Sequence, residues 1–234
     1  MKIATWRFAT LLSVLGLAAC GSSPSKAEKP APVAAQAAQP AQPAQAAKPA
    51  APSVPAATAS VAKAEVGKPA PDFKVKDLAG KTHELKDYRG KIVVLEWFSP
   101  ACPYCVYAYE DGPLADQPER LAKEGVVWLS VNSQNPKHPG SKIDKNQAFV
   151  EKYALEAPLL MDPEGIVGRA YGAKTTPHCF VIDEKGVLVY AGALDNAPNG
   201  KIEGNAAEVN YVDAAIADLR ARRPVATNST RAYG

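Results

Sequence analysis

The sequence predicts an α/β domain in which helices flank a central mixed β-sheet, with an N-terminal hairpin extension and a disordered N-terminal tether. Three stretches carry that prediction. The apolar run Ile92-Val93-Val94-Leu95-Glu96-Trp97-Phe98, bounded by Gly90-Lys91 and Pro100, reads as a strand buried on both faces. A second run, Val126-Val127-Trp128-Leu129-Ser130-Val131, follows a helical crossover and is expected to lie parallel to the first. Late in the chain, His178-Cys179-Phe180-Val181-Ile182 and Val187-Leu188-Val189-Tyr190-Ala191 flank the turn Asp183-Glu184-Lys185-Gly186 as an antiparallel hairpin.

The 234 residues, 47% hydrophobic and 22% charged, suit one ordinary domain with additional segments. The net charge of +3, without a basic stripe interleaved with aromatics, argues against a nucleic-acid partner. Residues 1–7 form a short basic region, and Phe8 to Leu17 is apolar but too short to span a bilayer alone. Leu17-Ala18-Ala19-Cys20 then resembles the bacterial lipoprotein signal, in which small residues precede a cysteine that is diacylated and becomes the new N-terminus. An ordinary signal peptide with an incidental cysteine is the alternative.

The resemblance implies a signal peptide over 1–19, lipidation of Cys20, and a periplasm-facing domain held on the lipid bilayer. Each buried methylene of an acyl chain adds about 0.8 kcal/mol, so several chains anchor stably. Gly21 stands where an aspartate would imply inner-membrane retention, which favours the outer membrane. The remainder of 20–62 is rich in Pro, Ala, Gln and Lys and has almost no large apolar residue, so it cannot bury a core. It reads as a tether extended toward polyproline II. A Pro-rich ligand for a partner is the other reading, but no aromatic or charged anchor accompanies it.

The folded domain is expected over 63–223, with 224–234 as a loose C-terminal tail. Val75-Lys76-Asp77-Leu78 and Thr82-His83-Glu84-Leu85 around Gly80 suggest the N-terminal hairpin. After the first buried strand a helix begins at Cys102, breaks at Asp111-Gly112-Pro113, restarts toward Lys123-Glu124 and is capped by Gly125. Ser133 to Lys145 reads as a polar loop. Phe149, Val150 and Tyr153 fit a helix face, Pro158-Leu159-Leu160-Met161 an extended segment, and Gly165 to Tyr171 a short helix. Asn210 to Arg222 is a helix with Val212, Ile216 and Leu219 on one face, and Pro224 stops it.

The chemistry concentrates at Cys102-Pro103-Tyr104-Cys105. Pro103 suits the first helical position, where a missing N–H costs nothing. That places Cys102 at the positive end of the helix, which favours its thiolate, with Cys105 one turn on and near enough to close a disulfide. This order of strand, turn, Cys-x-x-Cys and helix suits disulfide exchange and requires no cofactor. Cys-x-x-Cys is also half of many zinc sites, but the second half would have to come from Cys179 and three histidines not at metal spacing, so no metal is assigned.

Cys-x-x-Cys after a buried strand, with Thr176-Pro177 ahead of the late hairpin, resembles the thioredoxin fold. The wider pattern resembles its redoxin (AhpC/TSA-like) branch, including membrane-tethered proteins of the TlpA/ResA type. The residues that carry it are Gly67-Lys68-Pro69-Ala70-Pro71-Asp72-Phe73, Tyr88-Arg89-Gly90-Lys91, Leu95-Glu96-Trp97-Phe98, the stretch from Gly168 to His178, and Val189-Tyr190-Ala191-Gly192-Ala193. The resemblance implies a cis Pro177 beside the cysteine pair, a free Thr176 main chain that pairs with an extended substrate segment, and Tyr104 lining the same groove. It implies Cys102 as attacking thiolate, Cys105 as resolving thiol, protein thiols and disulfides as partners, and a membrane redox partner. Many members of that branch lack a cysteine at the Cys105 position, so its presence here favours a dithiol mechanism. Relatives often continue past Arg231-Ala232-Tyr233-Gly234 with another cysteine; no resolving thiol is assigned there.

Two rival activities share the fold. Peroxiredoxins carry Pro-x-x-x-Thr-x-x-Cys; here Ser99 takes the threonine position but Leu95 breaks the motif. Thioredoxin-like Cu(I) metallochaperones space their cysteines by three residues rather than two, and His178 reads better as a hydrogen-bonded structural residue than as a ligand. Cys179 reads as a small buried hydrophobe, and Tyr107 and Tyr109 as packing residues.

Glu96 interrupts an apolar strand, where a buried carboxylate is costly and its pKa should rise. It lies six residues before Cys102, the offset at which thioredoxin keeps a buried aspartate beneath its disulfide. The resemblance implies that Glu96 deprotonates Cys105 for the resolving step. Strand alternation pointing Glu96 away, toward a loop or the N-terminal hairpin, is the alternative.

Overall fold

The structure is a computed structural model and describes residues 63–234. The stretches expected to be a signal peptide (1–19), a lipidation site (Cys20) and a tether (20–62) lie outside the described residues. In chain order the elements are β1 (Lys74–Asp77), β2 (Thr82–Glu84), β3 (Val93–Trp97), α1 (Pro103–Glu110), α2 (Gln117–Lys123), β4 (Val127–Asn132), α3 (Ile143–Lys152), β5 (Leu159–Met161), α4 (Ile166–Tyr171), β6 (His178–Ile182), β7 (Leu188–Gly192) and α5 (Tyr211–Arg220). They build a seven-stranded sheet in the order β2-β1-β5-β4-β3-β6-β7.

The crossover logic holds. Strand β3 runs parallel to β4 and β4 parallel to β5, each reached through helical segments, whereas β6 returns antiparallel to β3 and forms the late hairpin with β7. The N-terminal hairpin adds to the far edge, with β1 antiparallel to β5. Helix α3 begins at Ile143, inside the stretch expected to be loop.

Alternation along β3 divides the core. Val94 and Phe98 face one layer with Tyr109 of α1, Leu121 of α2, Phe149 of α3 and Ile216 of α5. Val93, Leu95 and Trp97 face the other, with Tyr171 of α4, Phe73 and Phe180. Leu95 has no exposed surface; truncating such a side chain to alanine typically costs about 2–5 kcal/mol. Among the described residues no helix is long and apolar enough to cross a membrane.

The segment after α5 is not loose. Ser229 bridges Ala191 in a parallel pair, and the Thr230 hydroxyl accepts from the Ala193 N–H at 2.8 Å. Tyr233 donates to Asp195 Oδ1 at 2.7 Å. Residues 224–234 therefore belong to the domain: the first two pairings satisfy backbone groups that the β7 edge and the following loop would otherwise leave unpaired, and Tyr233 joins the Ala197 N–H as a second donor to Asp195 Oδ1. Composition could not show it, because every partner lies more than 30 residues away along the chain.

Candidate active site

Cys102 is the N-cap residue of α1 and Pro103 its first helical residue, as the sequence predicts. Cys102 is half-buried and Cys105, one turn on, fully buried; with Cys179 both are free thiols. The Cys102 thiol is acidic, its pKa pulled down to about 5. The main cause is the Cys105 thiol donating to it; burial opposes, while the Thr176 side chain and the N–H groups of Cys105 and Tyr104 assist. The helix N-terminus thus contributes through specific amides, but the resolving thiol is the larger influence. Burial pushes Cys105 well above the ordinary thiol range, and the donation to Cys102 raises it further. The two thiols are therefore set far apart in acidity by one another.

The Thr176–Pro177 peptide is cis and lies against the cysteine pair, where the Cys102 thiol donates to the Thr176 carbonyl oxygen at 2.9 Å. The Thr176 main chain is not free, which corrects the expectation of an open pairing edge. Its carbonyl is engaged by Cys102, and Gly234 packs so closely that a side chain there would collide with the Thr176 backbone. Tyr104 is half-buried and meets the Tyr233 ring at 5.7 Å between centroids, so the chain's own final residues line this groove. A cleft of about 450 Å³ adjoins it, lined among others by Trp97, Ser133, Arg169, Lys174 and Thr176.

Glu96 has no exposed surface and lies opposite Ser130 of β4 and Cys179 of β6. It faces the layer of α1, not a loop or the N-terminal hairpin. Its Oε2 accepts from the Tyr109 hydroxyl at 2.5 Å, from Ser130 Oγ at 2.9 Å and from Trp128 Nε1 at 3.3 Å. Oε1 is buried with no hydrogen-bond partner among the described residues. Burial raises the Glu96 pKa to about 7 against the pull of the three donors, and negative charge at Cys102 adds to the rise.

Sequence reasoning missed this surround. Tyr109, taken as packing, does pack against Phe98 and Phe149 but also holds the carboxyl. Ser130 carried a usable signal, since it interrupts its apolar run as Glu96 interrupts its own. Also missed was Asp162, whose carboxylate accepts from Ser133 Oγ at 2.6 Å and from the N–H of Ile166 and Gly168 at 2.9 Å. Trp97 Nε1 donates to the same Ser133, so β3 is tied to the start of α4, ahead of the Thr176 turn.

The remaining candidates sit apart from the reacting thiols. Ser99 donates to Gln134 Oε1 at 3.0 Å and accepts from the Ala101 N–H, so its hydroxyl serves the turn before Cys102. His178 packs on Phe180 and accepts from the Lys174 N–H; burial lowers its pKa to about 4. Burial pushes the Cys179 thiol up, as for a packed hydrophobe. Among the described residues no three His, Cys, Asp or Glu side chains cluster in a way that could hold a metal ion.

A mixed sheet carrying a Cys-x-x-Cys helix N-terminus against a cis-proline turn defines a thioredoxin-fold redoxin domain. The AhpC/TSA family model matches residues 66–191, and the chain belongs to that family. It is 37% identical over 125 residues to thiol-disulfide oxidoreductase ResA of Geobacillus thermodenitrificans, a match covering 52% of this chain and 65% of the relative. The chain thus spans just under two thirds of that relative's length. It is 33% identical over 130 residues to the thioredoxin-like protein YneN of Bacillus subtilis, covering 55% of this chain and 72% of the relative. Among solved structures, a hypothetical protein from Sinorhizobium meliloti superposes with a TM-score of 0.64 at 26% identity, covering 73% of this chain and 92% of that one.

Proposed function

We propose that the chain is a membrane-anchored thiol–disulfide oxidoreductase that exchanges disulfides with extracytoplasmic proteins through Cys102 and Cys105. The observation that carries the reading is the paired thiols: Cys102 half-buried and acidic to about 5, Cys105 buried and held protonated beneath it. Relatives named as thiol-disulfide oxidoreductases support it.

In the reducing direction the Cys102 thiolate attacks a substrate disulfide. A Cys102–substrate disulfide forms and the first substrate sulfur leaves as thiolate. Glu96 then takes the proton of Cys105, whose thiolate attacks Cys102 Sγ. The Cys102–Cys105 bond forms, the second substrate sulfur leaves as thiolate, and the proton on Glu96 restores a thiol. Two electrons pass from the dithiol to the substrate, and the reverse sequence oxidises a substrate dithiol. The turn at Thr176 and Pro177, with Tyr104, is the docking groove, so the 229–234 segment must yield to an incoming strand.

Anchoring rests on Leu17-Ala18-Ala19-Cys20: Cys20 carries the acyl chains, 20–62 is the tether, and the outer membrane is the favoured site. A membrane redox partner resets the cysteine pair. Two measurements test the reading. Equilibration in glutathione buffers of varied ratio, followed by peptide mapping, should give a Cys102–Cys105 disulfide in a two-electron transition; independent oxidation of the two thiols overturns it. Intact-mass analysis of membrane-extracted protein should show cleavage before Cys20 and an acylated terminus; an unmodified, retained Cys20 overturns the anchor.

A further inference from the structure

The donors around Glu96 are distributed unequally over its two oxygens. Tyr109, Ser130 and Trp128 all converge on Oε2, and Oε1 has none of them. The Trp128 indole nitrogen can only donate, so Oε2 must present a lone pair to it. A proton on Oε2 would require the Tyr109 or Ser130 hydroxyl to turn and accept, giving up the bond it donates, whereas a proton on Oε1 disturbs none of the three. Tyr109 is itself held protonated, its pKa raised well above the ordinary phenol by burial first and by the Glu96 charge next. It therefore acts as a hydrogen-bond donor rather than as a second titrating acid at neutral pH.

We propose that Tyr109, aided by Ser130 and Trp128, is a positioning residue that fixes Oε2 of Glu96 as acceptor only, so that Oε1 alone takes the proton of Cys105 when the mixed disulfide is resolved. The inference rests on the exchange reading above and deepens it. The titratable groups facing Glu96 are few: Cys102, Cys105 and Tyr109 from α1 and its cap, and Cys179 from β6, while β4 contributes only the neutral Ser130 and Trp128. Of these, Cys105 is the thiol whose proton must leave. The step is a proton transfer from Cys105 Sγ to Oε1, followed by attack of the thiolate on Cys102 Sγ and departure of the substrate sulfur.

Tyr109→Phe removes one donor and keeps the ring that packs on Phe98, Phe149 and Tyr153. The carboxylate then loses support relative to the acid, and the pH midpoint of resolution moves up, by about one unit.

The test uses the full chain, reduced, mixed with an aromatic disulfide whose released thiolate is coloured. Attack by Cys102 gives a first release of colour and resolution by Cys105 a second. Tyr109→Phe should leave the first phase unchanged within about twofold and shift the pH midpoint of the second upward. Ser130→Ala should shift it the same way, which covers a failure of Tyr109→Phe to fold. In a Glu96→Gln background neither substitution should move the profile. An unshifted midpoint in both single variants overturns the proposal, as does a shift that persists without Glu96. A parent protein with no second phase overturns the exchange reading itself, so the two failures are distinguishable.

Discussion

Cys102 Sγ donates to the carbonyl oxygen of Thr176 at 2.9 Å, joining the start of the active helix to the residue before the cis proline. The sheet arranges this meeting. Trp97 at the end of β3 pairs with His178 at the start of β6, so the turns that leave and enter those strands emerge side by side. The carbonyl favours a protonated Cys102, whereas the Cys105 thiol, the Thr176 side chain and two helix-start amides favour the thiolate and prevail.

That balance predicts the pH dependence of labelling. Alkylation of the reduced protein should map to Cys102 with a midpoint near pH 5, rising as the pH passes through the lowered pKa. Cys105 and Cys179, both raised by burial, should remain unlabelled at neutral pH. Peptide mapping after brief exposure checks this, and a Cys102 midpoint near that of an ordinary thiol contradicts it.

The buried acid predicts a stability effect with a definite sign. The folded pKa of Glu96 is raised from 4.5 to about 7, so its contribution is fully present below pH about 4.5 and is lost as pH rises to about 7. Above that range the fold carries a penalty of ~3 kcal/mol from this shift. Glu96→Gln should therefore stabilise the protein at pH 8 and have little effect at pH 4, measured by urea denaturation at both. Equal effects at the two pH values contradict the assignment.

The docked C-terminal segment predicts a gain in access. Tyr233→Ala removes the bond to Asp195 and the ring against Tyr104. Loss of one such hydrogen bond is worth about 1 kcal/mol, so Cys102 alkylation at fixed pH should accelerate by about fivefold with its pH midpoint unmoved. An unchanged rate means that the segment does not cover the groove.

Peroxide should be a poor oxidant of Cys102. The Ser99 hydroxyl is committed to Gln134 and to the Ala101 N–H, and Leu95 stands where the peroxidase motif needs proline. Rapid-mixing kinetics should give the rate of a simple thiolate of this acidity; a rate of the peroxiredoxin kind contradicts the assignment.

What the sequence made legible was local. The buried strand, Pro103 after Cys102, and the Gly186 turn each depend on neighbouring residues, and each appears where expected. Glu96 was legible as an acid in an apolar run. Its partners were not, because Tyr109 reaches it from another element 13 residues on and Ser130 from 34. The same reason hid Thr230 and Tyr233, whose positions are set by β7 and Asp195 rather than by their own composition. Thr176 was located correctly beside the cysteines but expected free, since no local feature reveals that Gly234 returns to it.

The most direct measurement of the central claim is capture of the covalent intermediate. Reduced Cys105→Ser protein, which retains the attacking thiol and lacks the resolving one, is mixed with a disulfide-bonded protein and mapped by mass spectrometry. The account predicts a stable mixed disulfide at Cys102, absent from Cys102→Ser. A mixed disulfide at Cys179, or none at Cys102, would contradict it.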